Sequence, residues 1–500
     1  MSDPVARLDA FLAALAAAGI SASRPARDEC QEATFPWPAR TLAIVRPATS
    51  AEAAHVVTIA GQTGQPLHPV SRGRNWGLGS RLPVEDAAIL DLSRLDSILD
   101  IDMANGTARI EPGVTFAQLQ ARLKAEGLRY HLPSFGGPLD ASVLANALER
   151  GDGAGPMGDR HAGLFDLDIA LSTGERIRTG HRRLSPGIAA ELHGRPAGPL
   201  IEGLFSQSSL GVVLSGRVAL NPTLDHAGAL LVEIETEAAF DLALAALRRL
   251  VESGVLNAYD VAIWNQAKRL SSLLRGRDAL APALQGAAGW GLSLIVASDH
   301  RELFDARVAV IRRSFAGLAS SIDTMEDRTD SGERLETFLT GFSHGGNLAS
   351  LYAAKAGPID EPLDPDRDGC GFLWLCPVLP FSGPALREVE ALLAEAVGER
   401  PFFAALGAQA VSGRALHGYV SLAWDRADSM ADDAALVLYR QVAAALAARG
   451  YHAFRLGHPG LREAQAEASY DAVLRRLARA LDPAGVMAPG RSVPAERDGA

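Results

Sequence analysis

The chain has 500 residues and a mass of 52.6 kDa, more than one hydrophobic core ordinarily fills, so two domains or one composite domain is expected. With 48% hydrophobic and 21% charged residues, it cannot be a disordered chain, a fibrous protein or a membrane bundle. Acidic residues outnumber basic ones by 59 to 48, a net charge of −11, which argues against a nucleic-acid partner and leaves room only for a local basic pocket.

Residues Val5 to Ile20 have the length of an export signal, but Arg7 and Asp9 interrupt them and the apolar positions recur at helical spacing. An amphipathic helix is therefore expected there, with no membrane span elsewhere. Cys30, Cys370 and Cys376 are too few and too unevenly placed for a disulfide scaffold, so a reducing, cytoplasmic setting is expected. From Thr41 to Pro222 short strands and helices alternate: strands at Thr41–Pro47, Pro66–Ser71, Ala87–Leu92 and Thr107–Val114, helices at Ala51–Thr63 and Phe116–Glu126. Two strands flank the Thr-Gly turn of Asp166–Gly180, and another covers Leu210–Leu220. Beyond Pro222 longer units follow. Strands at Leu230–Thr236, Gly291–Ser298, Gly371–Pro380 and Ala415–Asp425 are interleaved with helices at Ala238–Ser253, Arg301–Ser314, Ala385–Val397 and Ala431–Arg449. The pattern predicts an α+β protein in which a mixed α/β unit (41–223) precedes a second, α+β domain (224–457). Residues 1–40 form a lead-in, and 458–500 fold back as a helix and loop.

The segment PVSRGRNWGLGSRLP (69–83) follows a strand, and Gly73, Gly77 and Gly79 let its backbone turn sharply and aim N–H groups inward. Such a nest, with Arg72 and Arg74 beside it, suits an anionic pyrophosphate. It is neither a Walker loop nor the dinucleotide GxGxxG turn; on this segment alone an ordinary glycine-rich hairpin is equally well described. A second segment, 135–163, gathers Gly136, Gly137, Gly151, Gly153, Gly155 and Gly158 around a small-residue helix. A third, 198–213, adds Gly203 and Gly211. Three such loops in one unit point to a large cofactor. No His, Asp, Glu or Cys spacing matches a metal site, and GLFSQSSLG lacks the GxSxG elbow of a serine hydrolase.

The blocks PVSRGRNWGLGS, IEPGVTFAQL, SFGGPLDASVLANALERGDG, MGDRHAG, GPLIEGLFSQSSLGVV and LDPAGVMAPGR together resemble, in order and over 41–491, the flavoprotein family of vanillyl-alcohol oxidase and p-cresol methylhydroxylase. The resemblance implies a two-domain fold: an FAD-binding domain made of the first half plus the carboxyl tail, with a substrate-binding cap between them. It also implies hydride transfer from a substrate carbon to FAD. The loop Ser71, Arg72, Gly73, Arg74, Asn75, Trp76, Gly77, Gly79 and Ser80 would hold the pyrophosphate. Pro112 and Gly113 would line the adenosine end. Gly136, Gly137, Ser142, Asn146, Gly151 and Gly153 would follow the ribityl chain and isoalloxazine. Ile201, Gly203 and Val212 would close the adenine side, and Arg491 would approach from the tail.

Where the family carries a covalent flavin link in the cap, this sequence has Phe372, and the pyrophosphate loop lacks the other familiar anchor, a histidine; the flavin is expected to be non-covalent. The family's phenol-binding tyrosines match Leu78 and Phe454, and its acidic base matches Ser134, so only Arg455 remains of that set. The substrate is thus expected not to be a para-alkylphenol. An apolar or heterocyclic alcohol or amine, or a partly saturated ring, suits a wall of Leu78, Phe372, Trp374 and Phe454. A shifted register, with Tyr419 or Tyr451 supplying the phenol donors, is the competing reading.

Arg455 would bind an anionic substrate group or stabilise reduced flavin. His417 would act as base or donor, a satisfied core histidine being nearly as well supported. His344 lies in a glycine-rich cap loop. The partners implied are a small-molecule substrate and, as electron acceptor, molecular oxygen or a cytochrome; a homodimer is admitted. A flavin-binding scaffold without catalysis is the alternative from another class.

Overall fold

The computed structural model describes residues 4–25, 33–133, 136–185, 187–208, 210–324, 346–463 and 467–491. The first half begins with a βαβ unit. Strands Thr41–Val45 and Leu67–Val70 both run parallel to Ala87–Asp91, and helix Ser50–Thr63 makes the crossover. Thr49 caps that helix by accepting from the Glu52 N–H, and Gly64 ends it at φ +69°, the left-handed turn glycine permits. The predicted amino-terminal helix is present as Pro4–Ala17 and seats Phe11 and Leu15 in the same core.

A five-stranded sheet follows, in the order 98–102, 107–110, 212–219, 164–170, 176–178. Helix Phe116–Ala125 packs with it, opened by a capping box between Thr115 and Gln118.

Residues 226–455 build an eight-stranded sheet in the order 321–324, 226–234, 290–298, 261–265, 403–410, 415–425, 370–380, 453–455. Amphipathic helices Glu237–Glu252, Gly383–Val397 and Ser429–Ala447 bury leucine faces in the largest core cluster. Four of these strands, 261–265, 321–324, 403–410 and 453–455, escape a reading of local pattern. Phe403–Ala410 (FAALGAQA) is alanine-rich without strict alternation, yet it pairs on both sides, with 261–265 and 415–425. Tertiary pairing decides such a segment.

The tail packs against the first βαβ unit. Met487 bridges Leu67, with Leu67 N–H donating to the Val486 carbonyl at 2.8 Å and Ala488 N–H to the Leu67 carbonyl at 2.8 Å. Asp482, buried, holds this turn by accepting from Ser172 Oγ at 2.6 Å and Met487 N–H at 2.8 Å. Among the described residues no helix is long and apolar enough to cross a membrane.

Candidate functional site

Two adjoining cavities lie between the halves. The first is walled by the loop after strand 67–70 (Ser71, Arg72, Gly73, Arg74, Asn75, Gly79, Ser80), by Pro112, by Ser142, Asn146 and Glu149 on or beside helix Val143–Leu148, by Gly211 and Val212, and by Arg491. The loop is strained in the way glycine allows: φ is +66° at Gly73, +77° at Gly77 and +143° at Gly79. The N–H groups of Arg72, Gly73, Arg74 and Asn75 reach no acceptor among the described residues. A run of amides without a described acceptor, on a cavity wall beside three arginines, suits an anion. Arg72 donates to the Gly113 carbonyl at 2.7 Å, and Arg491 pairs with Glu149. Ser142 Oγ donates to the Pro112 carbonyl at 2.5 Å and caps its helix by accepting from the Ala145 N–H at 3.0 Å.

Neighbouring segments lock the loop from behind. Thr34 Oγ1 accepts from the Gly77 N–H and donates to the Phe372 carbonyl, both at 2.9 Å, tying the loop to the eight-stranded sheet. Asp366 accepts from Ser80 Oγ at 2.8 Å and from Trp76 Nε1 at 3.1 Å. Burial, aided by the charge of Asp364, pushes the Asp366 carboxyl up to about 7.

The second cavity, of about 320 Å³, is walled by Trp76, Leu78, Trp264, Leu348, Leu351 and Trp374 and carries polar groups from Asp152, Arg160, Tyr259, Lys268, Gln409 and Tyr419. Gly136, Gly137, Gly151 and Gly153 form part of its rim. Arg74, Asn75, Asn146 and Arg455 line both cavities, so the two spaces meet at these four residues. There Arg455 Nη2 donates to Asn75 Oδ1 at 2.9 Å. On the far wall Asp152 Oδ2 accepts from Tyr419 OH at 2.5 Å and lies 2.6 Å from His417 Nδ1. Burial, reinforced by Asp152, holds the Tyr419 phenol well above its ordinary range. His417 stacks on Phe454 with ring centroids 3.6 Å apart.

Several expected site residues stand elsewhere. Gly77 lies behind the loop, where a Cβ would meet Trp374 and Phe372 ring carbons at 2.6 and 2.8 Å. Gly113 sits under the Ser93 and Leu95 carbonyls, 2.6 and 2.7 Å from a Cβ; both glycines serve close packing. Trp76 borders the second cavity and not the first. Ile201, 39% exposed, and Gly203, with open space around it, form a surface turn away from both cavities; Phe205 and Ser208 of that segment reach the first. Phe372 is fully buried with Trp76, Leu351 and Tyr352 and lines neither cavity. It shares a strand face with Trp374, their rings 4.7 Å apart edge to face, but Trp76, Leu351 and Tyr352 cover it while Trp374 reaches the second cavity. Phe454 and His417 stand behind the wall and reach it through Asp152. Tyr451 donates to Glu388 at 2.9 Å on the exposed edge. Ser134 and His344 lie outside the described residues.

Motif reading gave no role to Asp152, Arg160, Lys268 or His458, although the first two lie within the quoted blocks. Asp152 sits inside the glycine-rich ERGDG block, where the glycines drew attention. His458 fills the space Gly79 leaves, and its Nε2 donates to the Leu82 carbonyl at 2.8 Å. Lys268 is one of only three lysines among 48 basic residues, a scarcity that could have singled it out.

Residues 41–180 match the family described as "FAD binding domain". Over 97% of its length the chain is 33% identical to a 1'-carboxy-chondrochloren decarboxylase of Chondromyces crocatus, covering 96% of that protein. It is 26% identical to the 4-cresol dehydrogenase [hydroxylating] flavoprotein subunit of Pseudomonas putida, over 87% of this chain and 85% of that one. The fold superposes on crystalline p-cresol methylhydroxylase with substrate bound at a TM-score of 0.87 and 21% identity, covering 98% of this chain and 96% of that one. The amide nest, its arginines and the second cavity opening beyond it fit FAD. The chain belongs to the vanillyl-alcohol oxidase and p-cresol methylhydroxylase family of FAD-linked oxidoreductases.

Proposed function

We propose that the protein removes a hydride from a carbon of a small organic substrate other than a para-alkylphenol, using FAD held without a covalent bond. Bound FAD supplies the two-electron acceptor. The unsatisfied loop amides, with Arg72, Arg74 and Arg491, would take its phosphates; Asn75, Asn146 and Arg455 would border the flavin end. Arg455 sets a fixed cation where the cavities meet. The Asp152 carboxylate, oriented by Tyr419 and His417, faces the substrate and is positioned to take the proton from a substrate O–H or N–H. Trp76, Trp264, Trp374, Leu78 and Leu351 exclude water around it.

The observation that carries the exclusion of phenols is Leu78. It stands in the second cavity, 4% exposed, where the family resemblance expects a phenol-binding tyrosine. An aliphatic side chain cannot donate to a phenolate, and an oxyanion buried without its donors is disfavoured by orders of magnitude in rate. Tyr419 does not substitute for it, because its hydroxyl proton is given to Asp152. For non-covalent flavin the support is Phe372, which lacks any nucleophilic atom and is packed away from both cavities.

The decarboxylase relative favours a second, narrower reading, in which the substrate carries a carboxylate and loses CO2 from the carbon next to the one that yields hydride. The hydride leaves with its electron pair, and the pair of the breaking C–CO2 bond closes the new double bond.

Anaerobic bleaching of the flavin by matched pairs, a para-alkylphenol against its O-methyl ether and against non-phenolic alcohols and amines, tests the main reading. Reduction by non-phenolic members is expected; bleaching by free phenols alone overturns it. Acid precipitation should leave the flavin in the supernatant. Rapid recovery of the reduced protein in air would identify oxygen as acceptor, slow recovery a protein such as a cytochrome.

A further inference from the structure

Lys268 lies on helix Gln266–Leu273, which Asn265 caps by accepting from the Lys268 N–H at 2.9 Å; the same Asn265 Oδ1 accepts from the Leu406 N–H at 3.2 Å. The helix is thereby pinned to the central strand of the large sheet, and Gly407 opposite leaves space for the lysine stem, 3.4 Å from where a Cβ would stand. Lys268 is only 8% exposed and lines the second cavity, not the first. Its Nζ is 3.1 Å from Ser421 Oγ, 3.4 Å from Ser350 Oγ and 4.6 Å from the centre of the Trp374 ring. No carboxylate among the described residues lies within ion-pair distance of it. The other two lysines contrast with it. Lys124 is exposed, and Lys355 is paired with Asp425 at 3.2 Å.

An ammonium carries three donors and no acceptor. Two hydroxyls and an indole face occupy part of its surroundings, and what remains opens on the cavity. Burying such a cation with neutral partners alone is unfavourable unless a ligand brings the missing anion. The remaining charges in the same cavity do not serve it. Asp152 is held by Tyr419 and His417, Asp260 accepts from the Gly155 N–H at 2.8 Å, and Arg74, Arg160 and Arg455 are cations; Tyr259, Tyr419 and Cys376 are the other titratable groups there.

We propose that Lys268 is the seat of a substrate carboxylate, which pairs with its Nζ between Ser350, Ser421 and Trp374 and so sets the class of substrate this site accepts. The proposal rests on the hydride-removing reading of the site and adds the anionic group that the substrate presents to the cap. Burial also lowers the ammonium to about 7, so a carboxylate arriving at slightly alkaline pH draws a proton onto the amine.

Calorimetric titration of the flavin-loaded protein with phenylacetate and with neutral phenylacetamide tests it. Phenylacetate is expected to bind about tenfold or more tightly than the amide. Lys268→Met should reduce the two to parity, and Lys355→Gln should keep the preference. At pH about 8, titration in buffers of different ionisation heat should show proton uptake with phenylacetate and none with the amide. Equal binding of the two probes, a preference that survives Lys268→Met, or absence of proton uptake in the unaltered protein overturns the proposal; the last reading needs no variant to fold. A protein that no alcohol or amine bleaches, yet that holds phenylacetate through Lys268, refutes the hydride reading and leaves this one standing.

Discussion

Gly79→Ala isolates the phosphate loop from the rest of the fold. A Cβ at this position would stand 2.2, 2.5 and 2.6 Å from three atoms of the His458 ring. The ring cannot swing aside: its Nε2 is 2.8 Å from the Leu82 carbonyl, and Trp37, Phe35 and His68 surround it edge-on at 5.5, 6.4 and 6.2 Å. The loop backbone must move instead, and a φ of +143° adds about 1–3 kcal/mol of strain for any residue with a Cβ. Displaced amides lose their aim at the phosphates, and a hydrogen bond to a charged group is worth about 1.5–3 kcal/mol. Loss of one such bond loosens FAD by about ten- to a hundredfold. Fluorescence titration of the apoprotein with FAD reads this directly. Gly203→Ala is the matched control, since nothing lies within 4 Å of a Cβ there and its effect should stay within about 0.5 kcal/mol. If the Gly79→Ala apoprotein takes up FAD as tightly as the unaltered one, the first cavity is not the phosphate site.

Tyr419→Phe removes one of the two donors on Asp152 and should cost about 1–3 kcal/mol in urea unfolding; flavin is retained while its reduction by substrate slows. Asp482→Ala strips the acceptor from Ser172 Oγ and the Met487 N–H, an expected loss of about 2–4 kcal/mol, with weaker FAD binding because Arg491 rides on that turn. Asp366, raised by burial to about 7, holds a proton in the folded state that the unfolded chain releases at lower pH. Stability should therefore fall as pH rises from about 4 to about 7, and thermal unfolding of Asp366→Asn should show a flatter profile over that window.

The cofactor half was legible because its chemistry is local. Residues 71–80 are contiguous, their glycines mark the turns, and seven residues of one loop line the first cavity. Substrate-side chemistry is assembled otherwise. Asp152 meets partners 265 and 267 residues away, and the hydroxyls around Lys268 come from positions 82 and 153 residues on. No window of sequence contains such a site, and each member taken singly reads as an ordinary polar residue. Even the loop misleads where glycine serves packing: Gly77 and Gly113 keep bulk away from protein atoms, and only Gly73 and Gly79 border the cavity as well. Strand parity puts Phe372 and Trp374 on one face of 370–380, yet Phe372 is covered by Trp76, Leu351 and Tyr352 while Trp374 reaches the cavity, a difference no hydropathy pattern carries. A residue's chemical type thus travels with the sequence, whereas its access to the reacting space is conferred by pairing partners that only the folded sheet supplies.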